Sequence, residues 1–205
     1  MASLRFEREN EMKLLIASDI HGSAYYCEKL LDRFNEEKAD RLVLLGDLLY
    51  HGPRNYLPME YEPKRVIELL NSYKDVIWCV RGNCDAEVDQ MVLEFPIMAE
   101  YCLITEGKQL IMATHGHTFN LENPPKLQKG DILLHGHTHV PANIETETFR
   151  YLNPGSVSLP KDGSANSYMT LENGCFIWKD LDGKEYERWT GRSTTVLKPL
   201  IMVNK

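Results

Sequence analysis

The sequence predicts an α/β fold in which two mixed β-sheets pack together with helices outside them. In the first half of the chain, short apolar runs alternate with segments of helical periodicity, as in strand, helix, strand units. The second half has β character and frequent turn signals. In addition, five apolar runs end in clusters of Asp, His or Asn, at the position where α/β sheets place their ligand sites.

Composition predicts one domain. With 205 residues, 43% hydrophobic and 26% charged, the chain can bury one substantial core, which we expect over residues 12–205. Residues 1–11 carry Arg and Glu where a signal peptide would have its apolar segment, so we interpret them as a flexible or added leader. The net charge of -7 disfavours a nucleic-acid polymer as partner, because such binding uses many Lys and Arg contacts to phosphates.

The cysteines predict a reducing environment. There are five, at positions 27, 79, 84, 102 and 175, without the C-x-x-C spacing of a zinc knuckle or a redox pair. Reduced thiols in a cytoplasmic protein are the simplest interpretation. No stretch is apolar enough to cross a membrane, so we expect no membrane association.

The chain is predicted to begin with a strand, helix, strand unit. Leu14 to Ala17 is a continuous apolar run, typical of a parallel strand covered on both faces. A helix with Ser23 as its N-cap should follow, since apolar residues recur at helical spacing; these are Tyr26, Leu30, Leu31 and Phe34. Leu42 to Leu45 is the next predicted strand.

A second and a third helix are predicted after a long loop over residues 49–63. Pro63 suits the first turn of a helix, whose core face would be Val66, Ile67, Leu69 and Leu70. Val76 to Val80 is the third strand. The spacing then predicts a helix over Ala86 to Phe95, ended by Pro96, with a core face of Val88, Met91, Val92 and Phe95.

The second half is predicted to be mainly strands. Residues 98–104 and 108–114 form two β-type runs joined as a hairpin, and 131–135 is a further strand. Strands are also expected over 144–152, 168–172 and 175–180, the last two joined by a tight turn at Asn173-Gly174. The tail from Thr194 to Val203 is also β-rich, and it could pack on the domain or across an interface in a homo-oligomer.

The five polar clusters predict a metal site. If extended, Asp19 and His21 point the same way and can reach one ion, as can His137 and His139. Each cluster also has an ordinary interpretation, such as a helix cap, a turn or a buried histidine. Jointly those interpretations fail, because all five clusters follow apolar strands: Asp19-Ile20-His21, Gly46-Asp47, Gly82-Asn83-Cys84-Asp85, His115-Gly116-His117 and Gly136-His137-Thr138-His139.

In order and rough spacing these five motifs resemble those of the calcineurin-like metallophosphoesterases. The resemblance spans residues 12 to about 160 and is strongest to the short bacterial branch of YfcE-type phosphodiesterases. That branch has a Cys after the Gly-Asn pair, a segment like residues 51–55 and an Asn-Pro-Gly-Ser segment like residues 153–156. The resemblance implies a four-layer α/β/β/α sandwich of two mixed β-sheets flanked by helices.

The resemblance also implies two divalent metal ions and their ligands. One ion would be held by Asp19, His21, Asp47 and His139, and the second by Asp47, Asn83, His115 and His137. Asp47 would bridge the ions, and a water or hydroxide between them would attack a small phosphodiester. Manganese is favoured by the resemblance, whereas the ligand types are equally compatible with Zn, Fe, Co or Ni.

Four further residues are candidates for catalysis or substrate binding. Cys84 stands where many relatives have a histidine that protonates the leaving group, and a thiol suits that task poorly; it could also simply pack in its loop. Asp85 could orient the ligands or cap a helix. Arg54 and His51 could contact a phosphate, or be ordinary loop residues. His117 and His135 are weaker ligand candidates, because the family pattern uses His115 and His137.

Two classes of function are therefore open. The leading hypothesis is a metal-dependent hydrolase of phosphoric esters, a phosphodiesterase, with phosphomonoesterase or nuclease activity as variants because one metal pair serves all three. The alternative is a catalytically weak metal-binding scaffold for protein interaction, like the retromer subunit Vps29. The histidine missing at Cys84 favours the scaffold, whereas the complete set of seven ligands favours the enzyme.

Overall fold

The computed structural model describes residues 12–106, 108–191 and 197–203, so the predicted leader and residues 194–196 of the tail lie outside the described residues. Two six-stranded sheets pack face to face. The elements are β1 (Leu14–Ala17), α1 (Ala24–Glu37), β2 (Arg41–Leu44), α2 (Pro63–Asn71), β3 (Ile77–Cys79), α3 (Glu87–Gln90), β4 (Tyr101–Glu106), β5 (Gln109–Thr114), β6 (Ile132–His135), β7 (Ala142–Glu145), β8 (Arg150–Asn153), β9 (Ser167–Glu172), β10 (Cys175–Asp180), β11 (Glu185–Thr190) and β12 (Leu197–Val203).

Both sheets are mixed. The first has the order β11-β10-β9-β1-β2-β3, in which β1, β2 and β3 are parallel and the other pairs are antiparallel. The second has the order β12-β4-β5-β6-β8-β7, with β5, β6 and β8 parallel. Parallel neighbours end at the same edge, so each sheet gathers the residues that follow its central strands.

The apolar runs of the central strands are continuous because both of their faces are covered. In β1, Leu14 and Ile16 pack in the core between the two sheets, whereas Leu15 and Ala17 pack under the helices, and all four are fully buried. Burying each leucine contributes about 1.5–3 kcal/mol. The predicted α/β fold of two mixed sheets with flanking helices is confirmed.

The first two helices cover the outer face of the first sheet. Helix α1 begins where predicted, because the Ser23 side chain accepts a hydrogen bond from the Tyr26 N–H at 3.3 Å. It ends at Lys38, whose φ of 52° is left-handed. Helix α2 starts at Pro63 and buries Val66 and Leu70. On the outer face of the second sheet, the connection between β5 and β6 packs Leu127 against a small cluster that contains Leu133 and Tyr151.

The predicted helix over 86–95 is wrong, since α3 is a single turn from Glu87 to Gln90. The Gln90 side chain donates to the carbonyls of Leu93 and Phe95 and accepts from the Ile97 N–H, at 2.9–3.0 Å. These side-chain hydrogen bonds satisfy backbone groups of the loop after α3. In a longer helix the same groups would instead bond one another. The expected core residues Val88, Met91 and Val92 are therefore exposed by 65%, 83% and 44%, while Phe95 is buried.

The late β region also differs in detail from the prediction. The expected strand over 144–152 is a hairpin of β7 and β8, because the Thr146 hydroxyl and amide bond the Phe149 carbonyl and reverse the chain. Strand β11, which the sequence analysis did not predict, pairs with β10 at the edge of the first sheet. The described part of the tail, β12, pairs with β4, so the tail packs on its own domain.

Two alanine substitutions test this division between buried and exposed positions. Leu30→Ala should lower the free energy of unfolding by about 2–5 kcal/mol, because it leaves a cavity under α1. Met91→Ala should change it by less than about 0.5 kcal/mol, because Met91 is exposed. Urea denaturation of both variants measures this, and a cost for Met91→Ala close to that of Leu30→Ala would contradict the short helix.

Candidate metal centre

Seven polar side chains meet where the central strands of the two sheets end. Asp19 and His21 follow β1, Asp47 follows β2, and Asn83 follows β3; His115 follows β5, and His137 and His139 follow β6. Neighbouring ligand atoms lie 3.0–3.7 Å apart. The structure therefore brings together all seven residues predicted to hold metal ions.

One half of the centre is built from two imidazoles and a buried carboxylate. The Nε2 atoms of His21 and His139 face each other at 3.2 Å, and Asp19 Oδ1 lies 3.6 Å and 3.3 Å from them. Asp47 Oδ2 is 3.7 Å from His21 Nε2. Asp19 Oδ1 is buried and has no hydrogen-bond partner among the described residues. An orphaned carboxylate oxygen between two imidazoles is the arrangement of a cation site.

The tautomers of the two histidines point to the same conclusion. His21 Nδ1 lies 2.7 Å from the Tyr50 carbonyl, and His139 Nδ1 lies 2.6 Å from the Leu159 carbonyl. A carbonyl only accepts, so both Nδ1 atoms carry a proton, and in the neutral form of each ring the inward Nε2 has a lone pair. Two lone pairs at 3.2 Å cannot bond each other. A divalent cation between them removes the conflict.

The other half of the centre has a similar arrangement around His115. Its Nδ1 donates to the Leu45 carbonyl at 2.7 Å, so in the neutral ring its inward Nε2 also has a lone pair for a cation. That Nε2 lies 3.0 Å from Asn83 Oδ1, 3.1 Å from His137 Nδ1 and 3.5 Å from Asp47 Oδ2. Asp47 Oδ2 is thus close to both halves. The geometry fits two cations with one shared carboxylate.

Charge in the centre is balanced between carboxylates and histidines. Although burial favours the neutral acid, contacts with His139 and His21 hold the pKa of Asp19 well below its usual range. Although burial opposes it too, His115 lowers the pKa of Asp47. Burial likewise works against a charged imidazole, but Asp47 and Asp19 raise the pKa of His115 to about 9. Both carboxylates are therefore ionised at neutral pH and need positive charge beside them.

Five of the seven residues have left-handed backbone conformations. The φ values are 60° for Asp19, 50° for His21, 57° for Asp47, 65° for His137 and 63° for His139. The extended Asp-x-His and His-x-His geometry assumed from the sequence is therefore wrong. Tight turns aim these side chains instead, at a cost of about 1–3 kcal/mol each in backbone strain.

Glycines beside the ligands let the turns approach one another. A Cβ atom on Gly82 would lie 2.1 Å from Asp47 Oδ1, and one on Gly136 would lie 1.9 Å from Ser18 Oγ. Either contact is impossible without moving backbone. Because neither residue has a side chain, Gly82 can lie against Asp47 and Gly136 can lie against Ser18.

Asp85 supports the centre from behind. Its buried carboxylate accepts hydrogen bonds from the N–H groups of Asp47, Leu48 and Gly82, at 2.7–2.9 Å. These contacts tie the turn after β2 to the turn after β3. Burial raises the pKa of Asp85 despite these donors. Ala86 is the N-cap residue of α3, so the alternative of Asp85 as a helix cap is wrong.

A further support was not identified from the sequence. In the loop of residues 154–166, the hydroxyls of Ser156 and Ser158 donate to the Asp19 carbonyl at 2.9 Å and 3.1 Å. The Leu159 carbonyl in the same loop orients His139, at 2.6 Å. The only sequence signal for this loop is the Asn-Pro-Gly-Ser segment, which does not indicate where the loop lies in the fold.

A cavity of 320 Å³ opens onto the metal centre and contains two of the four further candidates. Arg54 and Cys84 line it, together with Lys161, which the sequence analysis did not single out. Arg54 is the only arginine among the described residues without a hydrogen bond, an ion pair or a cation–π contact in the structure. His51 is not among the cavity-lining residues, and its ring packs against Tyr50 and Tyr61.

Cys84 lies at the border of the centre. Its amide donates to Asp47 Oδ1 at 2.8 Å, and its thiol accepts from the Asn83 side chain at 3.2 Å. The thiol also lies within 4.8 Å of ligand atoms of His21 and Asp47. Burial and the Asp47 carboxylate raise the pKa of the Cys84 thiol.

The two weaker ligand candidates, His135 and His117, have other surroundings. His135 stacks on Tyr151 at a centroid distance of 4.3 Å, beneath Gly116. His117 lines a second cavity, of 210 Å³, with Arg81 and Glu100.

Residues 12–174 match the calcineurin-like phosphoesterase superfamily domain. Over 162 residues the chain is 49% identical to the phosphodiesterase YfcE of Escherichia coli K12, covering 79% of this chain and 88% of YfcE. The solved structure of YfcE, a phosphoesterase from E. coli, superposes with a TM-score of 0.85 at 45% identity, covering 88% of this chain and 100% of that one.

Two more distant relatives share the fold. The Bacillus subtilis protein named "Probable metallophosphoesterase YsnB" is 27% identical over 194 residues, which cover 89% of this chain and 99% of YsnB. Vps29 of Chaetomium thermophilum superposes with a TM-score of 0.57 at 17% identity, covering 89% of this chain and 100% of Vps29. At that identity the likeness to Vps29 concerns the fold alone.

An Asp85→Asn substitution tests the support behind Asp47. It places an NH₂ group against backbone donors, which should lower the free energy of unfolding by about 1–3 kcal/mol and weaken Mn²⁺ binding about 10- to 100-fold. Urea denaturation and calorimetric titration with Mn²⁺ measure the two effects. The exposed Asp182→Asn variant is the matched control. Unchanged Mn²⁺ affinity in Asp85→Asn would exclude the positioning role.

Proposed function

The chain belongs to the calcineurin-like phosphoesterase superfamily, and we propose that it is a metal-dependent phosphodiesterase that hydrolyses small phosphodiesters. The observation that carries this proposal is the convergence of three inward imidazole lone pairs on two ionised, buried carboxylates. Such a centre attracts divalent cations and, through them, an anionic phosphate. The 49% identity to the phosphodiesterase YfcE supports the choice of a diester.

We assign the ligands in two groups that share one carboxylate. Asp19, His21, Asp47 and His139 would hold one ion, and Asp47, Asn83, His115 and His137 the other. We propose Mn²⁺ on the resemblance to YfcE-type proteins, since the ligand types also fit Zn, Fe, Co or Ni. When bound, the two ions would supply an activated water and compensate the charge that develops on the phosphate.

The residues of the chain position and bind the substrate around this centre. Asp85 holds the turn that carries Asp47, and the Cys84 amide fixes Asp47 Oδ1. Arg54 lines the cavity without a partner among the described side chains, so its guanidinium is available to a phosphate oxygen. For His51, predicted as a second substrate contact, we propose packing against Tyr50, whose carbonyl orients His21.

Cys84 occupies the position where a proton donor for the leaving group would stand. In the protein alone the raised pKa keeps its thiol protonated, which makes it a weak acid, and nearby cations would favour the thiolate instead. In either form it transfers a proton poorly. We therefore propose that the enzyme favours esters with good leaving groups, and diesters over monoesters.

The alternative of a metal-binding scaffold rests on the missing histidine and on the fold shared with Vps29. The convergence of all seven proposed ligands and the open cavity beside them favour hydrolysis instead. A phosphomonoesterase with the same centre is the other candidate. The ratio of monoester to diester turnover distinguishes the two activities.

Two predictions about location and assembly accompany the proposal. All five cysteines are free thiols, which supports a reducing compartment such as the cytoplasm. None of the described helices has the length and apolar character that spanning a membrane requires. A homo-oligomeric state stays a prediction.

Turnover of a chromogenic diester tests the proposed function. With Mn²⁺ the protein should hydrolyse bis-p-nitrophenyl phosphate, and EDTA should abolish the activity. Asp47→Asn removes the charge shared by both ions, so kcat should fall by more than about 100-fold, beyond the loss typical of outer-shell partners. Asp182→Asn should retain activity. Absence of metal-dependent turnover of both this diester and p-nitrophenyl phosphate would overturn the enzymatic assignment.

A Cys84→His substitution tests the proton-donor position. An imidazole there can protonate a leaving oxygen, a contribution worth about 10²–10⁴-fold for poor leaving groups. We expect the ratio of monoester to diester turnover to rise at least 10-fold, measured with alkyl and p-nitrophenyl esters. Cys175→His, outside the cavity, is the matched control. A ratio equal to that of the unmodified protein would assign Cys84 to packing alone.

A further inference from the structure

Lys161 is a positively charged residue beside the metal centre that has no role in the proposed reaction. It lines the 320 Å³ cavity together with five of the proposed metal ligands and Arg54. Its side chain has no hydrogen bond or ion pair with any described residue, although Asp162 is its neighbour in the chain. A lysine at the mouth of a cavity that already holds a metal centre is well placed to contact the part of a substrate outside the reacting phosphate.

The backbone of Lys161 is held firmly beside a metal ligand. Its N–H donates to the His139 carbonyl at 3.2 Å, and its carbonyl accepts from the N–H and the hydroxyl of Ser164 at 3.0 Å and 2.6 Å. Pro160 restricts the chain just before it. The start of the Lys161 side chain is therefore fixed relative to His139, even though its end is free in solvent.

Lys161 and Arg54 reach the cavity from separate loops. Arg54 lies in the loop after β2, where a Cβ atom on Gly52 would be 3.3 Å from Cys84 Sγ. Lys161 lies in the loop of residues 154–166, on the side of His139. The two cations therefore enter the same cavity from different parts of the fold.

The positive charge of the cavity also favours a substrate with a second anionic group. Two divalent cations with the carboxylates of Asp19 and Asp47 leave an excess of positive charge, and Arg54 adds to it. A phosphodiester group carries a single negative charge. Another cation at Lys161, in a protein of net charge -7, therefore has no counterpart in a simple diester.

We propose that Lys161 is a specificity-determining residue that selects phosphodiesters whose non-leaving arm carries a second anionic group, a carboxylate or a phosphate. This rests on the proposed phosphodiesterase function. The ammonium would pair with that group near the His139 side of the cavity, while the reacting phosphate lies over the metal ligands. Such a partly exposed ion pair contributes about 5-fold in kcat/KM.

A matched pair of chromogenic diesters tests this selection. Phenyl p-nitrophenyl phosphate and 4-carboxyphenyl p-nitrophenyl phosphate have the same leaving group and differ only in the charge of the remaining arm. With Mn²⁺ we expect kcat/KM to be about 5-fold higher for the carboxylate arm. Lys161→Gln should abolish this preference, Lys161→Glu should reverse it, and added salt should weaken it in the unmodified protein.

The exposed Lys184→Gln variant, outside the cavity, should keep the preference of the unmodified protein. Equal losses for both diesters in Lys161→Gln would overturn the proposal and place Lys161 on the reacting phosphate instead. No preference in the unmodified protein would overturn it too. Absence of turnover for both diesters with Mn²⁺ would instead contradict the proposed function, so the two failures are distinguishable.

Discussion

The structure depends on burying two ionised carboxylates side by side where two sheets end. Asp19 and Asp47 are exposed by 0% and 2%, and charges so deeply buried are costly unless opposite charge lies beside them. Backbone carbonyls fix one proton on the Nδ1 atoms of three of the surrounding histidines, so their Nε2 atoms face the carboxylates and can bind a cation. Bound divalent cations would supply the positive charge and, in turn, attract a phosphate.

This requirement explains why the strand ends are strained and heavily supported. Asp19 and Asp47 are aimed inward from neighbouring parallel strands by left-handed turns, and each turn costs free energy. The cost is offset by hydrogen bonds from outside the centre, from Asp85 on one side and from Ser156 and Ser158 on the other. The buried core between the sheets keeps these supports at fixed distances.

A shared fold does not by itself determine the activity of a protein. Vps29 shares the arrangement of sheets at 17% identity, whereas YfcE shares both the fold and nearly half of the aligned residues. A scaffold can keep the sheets without the chemistry, since function resides in the site and not in the fold. For this chain the proposed function rests on local features: the seven proposed ligands, the thiol at Cys84 and the cations Arg54 and Lys161 in the cavity.

The sequence by itself determined the order of the early elements and all seven candidate ligands, because buried parallel strands are continuous apolar runs and ligand residues follow them directly. Tertiary contacts decided the features that do not follow from the spacing of apolar residues along the chain. Gln90 bonds the loop after it and so ends a helix that the apolar spacing favours. The loop that carries Ser156 and Lys161 reaches the centre only after folding, since contacts between residues more than a hundred positions apart leave no local pattern.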